Sequence, residues 1–145
     1  MSKDFDMRIE SFARLKGEQL YQAGYAWPGI TDKMRIEAFA KLTDEWLYWT
    51  GLDWECITDD MRQAAFEQLK DEELYRAGRY WSGITDEMRQ EAFEQLEGNL
   101  LYWASCDWSG ITDEMRREAL KRLKGEWLFR ALRHWQGIPP KNGEC

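Results

Sequence analysis

The sequence predicts an all-α protein, an α-solenoid of five 27-residue helical hairpins. One pattern runs five times through the chain, at 3-29, 30-56, 57-83, 84-110 and 111-137, and a fixed period of that order marks a stacked repeat array. Apolar residues recur at helical spacing inside each copy. Each copy also carries two breaks, one at a Gly or Asp and one at a short turn of the Pro28-Gly29 or Ser82-Gly83 kind after the last tryptophan, which divide it into two short helices. The copies starting at Ile57 and Ile84 agree at 17 of 27 positions, so one structure is expected of all. The whole chain, 1-145, reads as a single repeat domain with a short tail at 138-145.

The first helix of each copy is expected to start after Asp4, Thr31, Thr58, Thr85 or Thr112. Their side-chain oxygens can accept from the exposed N–H groups of a first turn. Acidic residues such as Asp86 and Glu87 follow, where the positive end of the helix dipole favours them. Met88, Ala92, Phe93 and Leu96 then fall on one stripe, which predicts a buried face and about three turns of helix. Gly17, Asp44, Asp71, Gly98 and Gly125 follow at one position, an alternation suited to a cap or to positive φ.

The second helix is expected near Glu18, Glu45, Glu72, Asn99 and Glu126 and to end at Trp27, Trp54, Trp81, Trp108 and Trp135. Gly24, Gly51, Gly78 and Ser105 lie inside it. Glycine there costs about 1 kcal/mol against alanine, so these positions should let a neighbouring helix backbone come close. The five tryptophans read as core residues or as wedges between copies. Cys56 stands where other copies carry a turn glycine, so positive φ is not obligatory at that site. Ile138 would open a sixth copy, but Pro139 and Pro140 stop the helix.

The small-residue and aromatic pattern of Leu74-Tyr75-Arg76-Ala77-Gly78 resembles the tetratricopeptide-like and other α-hairpin repeat classes. The period is shorter than the 33 to 47 residues of those classes. The resemblance implies a stacked-hairpin fold and brings no active site with it.

Composition agrees: 43% apolar and 14% aromatic residues supply a core. No apolar run approaches the roughly 20 residues needed to cross a bilayer, and a cytoplasmic protein with no membrane partner is expected. Cys56, Cys106 and Cys145 have no CxxC spacing and only His134 as an imidazole companion. Neither a metal site nor a disulfide framework is expected. No nucleophile elbow, phosphate loop or zinc helix motif is present, so the expectation is no enzyme and no cofactor.

Net charge by copy runs 0, -3, -2, -5 and +3. An acidic middle argues against direct nucleic-acid binding, which uses Lys and Arg against phosphates. The basic last copy suggests either a soluble end cap or self-association with the acidic middle. Arg8, Arg35, Arg62, Arg89 and Arg116 repeat once per copy and read as structural partners of Asp32, Asp59, Asp86 and Asp113 at i, i+3.

Variation concentrates in the second helix. One position reads Gln22, Trp49, Arg76, Trp103, Arg130; the next turn reads Tyr25, Leu52, Arg79, Cys106, Arg133 and then Ala26, Asp53, Tyr80, Asp107, His134. These positions share a helical face, and a second period of 54 residues overlies the first. Repeat arrays hold a scaffold and vary one face. Trp49, Asp53, Arg76, Arg79, Trp103, Asp107, Arg130 and Arg133 are therefore the candidate partner-binding residues, with Trp49 and Trp103 equally readable as packing. The expected function is a protein-interaction scaffold for a protein or peptide. The alternatives are an acidic inhibitor of a nucleic-acid-binding protein and a purely architectural or self-assembling repeat.

Overall fold

The computed structural model describes residues 3–135, with side chains over 7–135, and the described chain is all-helical. In order the helices are α1 (Lys3–Phe12), α2 (Gly17–Ala26), α3 (Asp32–Phe39), α4 (Asp44–Asp53), α5 (Asp59–Phe66), α6 (Asp71–Tyr80), α7 (Asp86–Phe93), α8 (Gly98–Asp107), α9 (Asp113–Leu120) and α10 (Gly125–Trp135). Two per copy, they give the helical repeat fold of the solenoid class. The expected stop at Pro139 and Pro140, the Cys145 thiol and the Asp4 side chain lie outside the described residues. The backbone of α1 nevertheless starts at Lys3, before Asp4.

Threonine caps form as the sequence predicts. Thr31, Thr58, Thr85 and Thr112 accept through Oγ1 from the backbone N–H of Met34, Met61, Met88 and Met115 at 3.1–3.2 Å. The helices they open are shorter than expected, eight residues each in α3, α5, α7 and α9. That is little more than two turns. After Phe39 the chain tightens, with Lys41 N–H donating to Ala38 O and Leu42 N–H to Phe39 O. The leucine at the end of the apolar stripe (Leu42, Leu69, Leu96, Leu123) is buried from this turn rather than from the helix.

The Gly/Asp position is left-handed in every copy. Gly17, Asp44, Asp71, Gly98 and Gly125 all take φ between 50 and 56°. Each opens the second helix, one residue earlier than the acidic residues suggested. Asp44 and Asp71 are the only non-glycine residues with positive φ among those described, and aspartate is one of the few residue types that tolerates it. At the other end Trp27, Trp54, Trp81 and Trp108 are extended caps just outside the helix, their N–H groups donating to Ala23, Thr50, Ala77 and Ala104. The following turn has two forms. Gly29, Gly83 and Gly110 take φ of 83–85°, whereas the turn through Cys56 is closed by Ile57 N–H on Trp54 O at 3.3 Å.

The chain divides into two compact units, Met1–Leu69 and Lys70–Cys145. In the first, α2 packs on α4, while α1 and α3 each pack on the second helix of their own copy. In the second, α6 packs on α8 and α8 on α10, with α9 set against both α8 and α10. Second helices therefore form the inner row of each unit. The buried Leu20 and Leu47, and Leu74, Leu101, Ala104 and Ala131, line those rows.

Gly24 and Gly78 admit an indole, not a neighbouring backbone. A Cβ on Gly78 would lie 2.5 Å from the ring of Trp108, and Gly24 stands equally hard against Trp54. In each case the ring comes from the next copy along. The small residue is the socket for a wedge 30 residues downstream, a pairing that the 27-residue alignment alone does not reveal. Among the described residues no helix is long and apolar enough to cross a membrane.

Candidate interaction surface on the second helices

A ladder of arginines anchors α2, α4, α6 and α8 each to the first helix that follows it. Arg35, Arg62, Arg89 and Arg116 pair through Nη1 with Asp32, Asp59, Asp86 and Asp113 at 2.9–3.2 Å, as the spacing predicts. Each also donates through Nε to a carbonyl of the preceding second helix, on Gly24, Gly51, Gly78 and Ser105, at 2.7–3.0 Å. Those carbonyls belong to the small-residue position. The arginine thus ties the turn on the far side of the indole wedge, which is a packing role.

The 54-residue period has a physical cause. The Tyr21 hydroxyl donates to the Asp53 carboxylate, and the Trp54 indole N–H donates to Tyr21 O at 3.2 Å. Fifty-four residues later the Tyr75 hydroxyl donates to Asp107, and Trp108 Nε1–H donates to Tyr75 O at 2.9 Å. A tyrosine from an odd copy is locked to an aspartate from the even copy after it. The junction between the fourth and fifth copies lacks this lock. His134 replaces the aspartate and is exposed, and the Tyr102 hydroxyl and Trp135 Nε1 have no partner among the described residues.

Asp53 and Asp107 therefore lie at the seam between copies. Arg79 joins Asp107 in an ion pair at 3.3 Å and donates to the Tyr75 hydroxyl at 3.3 Å. Arg76 pairs with Glu72 one turn back. Trp49 is half-buried, edge-on to the buried Tyr48 at 5.1 Å. Trp103 is also half-buried and stands edge-on to Tyr102 at 5.4 Å and to Trp127 at 5.9 Å. Arg130 lies over the Trp127 ring at 4.9 Å and pairs with Glu126 at 3.0 Å. Arg133 is exposed.

The structure adds Trp127 to the predicted residues, at a position that reads Gln19, Trp46, Glu73, Leu100 and Trp127 across the copies. Its signal was Arg130 three residues on, the spacing that stacks side chains on a helix. Among the described residues no three His, Cys, Asp or Glu side chains come together to hold a metal ion. Cys56 is a free thiol whose pKa is raised by burial and by Asp32. Cys106 is buried.

Tyr21 and Tyr75 are both pushed up to about 12 from the ordinary 10.0, by burial first and by their aspartate partners second. Burial also raises Tyr102. A phenol whose pKa is higher in the folded chain stabilises fully below its ordinary pKa, and that contribution is lost as pH rises toward about 12. Absorbance titration of tyrosinate should therefore show late-ionising phenols among the six tyrosines. Tyr21→Phe and Tyr75→Phe should each remove one of them; an unchanged late phase would contradict the locks.

No known protein family, curated protein or solved structure matches the chain.

Proposed function

We propose that this protein is a non-enzymatic interaction module that takes a protein or peptide partner along its second-helix face, with the ladder of Trp103, Trp127 and Arg130 on α8 and α10 as its centre. That ladder carries the reading. All three side chains are half-buried, and Arg130 lies over the Trp127 ring at 4.9 Å. Core tryptophans such as Trp108, at 2% exposure, are consumed by packing. The ladder instead offers rigid aromatic area and a preset guanidinium, the residue types that dominate binding hot spots. Arg76 and its Glu72 partner flank it on α6 as an exposed pair worth little in stability.

A displayed random-peptide library supplies the probe. Peptides selected on the intact protein should lose at least tenfold in affinity for Trp103→Ala and for Arg130→Ala. Trp103→Ala should cost clearly less stability than Trp108→Ala. Equal destabilisation by the two tryptophan changes, or selected peptides indifferent to both ladder variants, would sink the proposal.

A further inference from the structure

Beside Trp108 the second unit sets an arginine of its own against the seam aspartate. The Arg79 guanidinium reaches both the Asp107 carboxylate and the Tyr75 hydroxyl, and stacks over the Tyr80 ring at 5.0 Å. Ser109 Oγ donates to Asp86 at 2.7 Å, and the Gln90 amide donates to Gly110 O at 2.7 Å, holding the turn down.

Fifty-four residues earlier the first unit keeps the grip and lacks what is gripped. Tyr21 still donates to Asp53. In place of Arg79 stands Tyr25, in place of Ser109 stands Glu55, and in place of Gln90 and Gly110 stand Ile36 and Cys56. Ile36 has no amide to hold the turn, and Cys56 takes the other turn form. A cavity of about 430 Å³ lies there, between Tyr25, Asp53, Trp54 and Glu55. That falls within the range of ligand pockets.

Its charge is unbalanced. Asp32, Asp53 and Glu55 face one guanidinium, that of Arg35, already committed to Asp32 at 3.0 Å and Gly24 O at 2.7 Å. The matching positions of the second unit set two carboxylates, Asp86 and Asp107, against two guanidinia, Arg79 and Arg89.

We infer that the recess beside Trp54 receives the guanidinium of an arginine side chain from a partner protein or peptide, held by Asp53 and Tyr21 as Arg79 is held by Asp107 and Tyr75. The inference rests on the second-helix face being an interaction surface and names what one part of it takes. Glu55 supplies a second carboxylate for the planar fork, which arginine can engage at two edges and lysine cannot. Tyr25, 67% exposed at the rim, supplies the ring that Tyr80 gives Arg79 in the other unit, where the first has Ala26.

The test titrates the full chain with a blocked Gly-Arg-Gly peptide and with its lysine and citrulline counterparts, reading the Trp54 indole N–H resonance. The arginine peptide should shift it at least tenfold more tightly than either counterpart. Asp53→Asn should weaken that binding at least tenfold. Tyr25→Arg, which recreates the self-filled arrangement of the second unit, should abolish it while keeping the fold. Citrulline or lysine binding as tightly as arginine, unchanged binding by Tyr25→Arg, or no shift at all would each overturn the arginine pocket. Those results leave the ladder reading standing, because selection of peptides dependent on Trp103 and Arg130 decides it independently.

Discussion

Trp108→Ala is expected to destabilise the protein by about 3–5 kcal/mol and Gly78→Ala by about 1–3 kcal/mol, and the two losses are expected not to add. Trp108 is 2% exposed, and its indole occupies the space where a Cβ on residue 78 would sit. Alanine at 78 therefore overpacks the seam, although in an open helix the same change would gain roughly 1 kcal/mol of helix propensity. Removing the indole removes the clash. In the Trp108→Ala background Gly78→Ala should become neutral or stabilising, a coupling of at least about 1 kcal/mol, since contacting residues couple on that scale. Urea unfolding of the four proteins measures the cycle. Additivity would show that the ring moves aside freely and that the socket is not a constraint.

Arg89→Met is expected to cost about 1–3 kcal/mol, and Arg89→Lys to recover little of it. Methionine keeps most of the stem packing but leaves Gly78 O without its donor at 2.7 Å, and frees Asp86 from Nη1 at 2.9 Å. Ser109 Oγ, 3.0 Å from the same Nη1, loses a donor as well. One lysine ammonium cannot reach the carbonyl and the carboxylate in the fork geometry that Arg89 uses. The arginine side chain is only 14% exposed, so water does not replace the donor easily. A drop in the urea midpoint at constant slope, nearly as large for lysine as for methionine, is the expected result. Full recovery by lysine would mean that the Asp86 ion pair alone matters, a contact worth little at the surface.

How far the sequence could be read depended on the range of the interaction. The threonine caps, the left-handed Asp44 and Asp71 and the Asp–Arg pairs are settled within a few residues. Their chemistry is local and repeats five times, so the alignment exposes them. The helix lengths were overestimated for a related reason. A stripe through Phe93 and Leu96 looks the same on the page whether Leu96 sits on a helix or on the tight turn after it, and only the Leu96 N–H bond to Phe93 O distinguishes them.

The candidate surface was legible only as variation. That Asp53 and Asp107 differ from their counterparts is visible in the alignment; that they accept from Tyr21 and Tyr75, 32 residues back, depends on which helix face meets which. Trp49 and Trp103 looked alike by position, yet Trp103 joins a ladder with Trp127 and Arg130 while Trp49 rests edge-on to Tyr48.

The sequence by itself determined the repeat, its two helices, their caps and the residues every hairpin shares, because hydrogen bonding within a turn and helical periodicity act over a few residues. Only the tertiary structure decided that Gly24 and Gly78 receive an indole from the next copy, that the tyrosine–aspartate lock recurs every second copy, and that one unit supplies its own arginine where the other leaves an acidic recess. Those features arise where side chains about 30 residues apart are brought into contact by helix packing, and residue spacing along the chain does not record that contact.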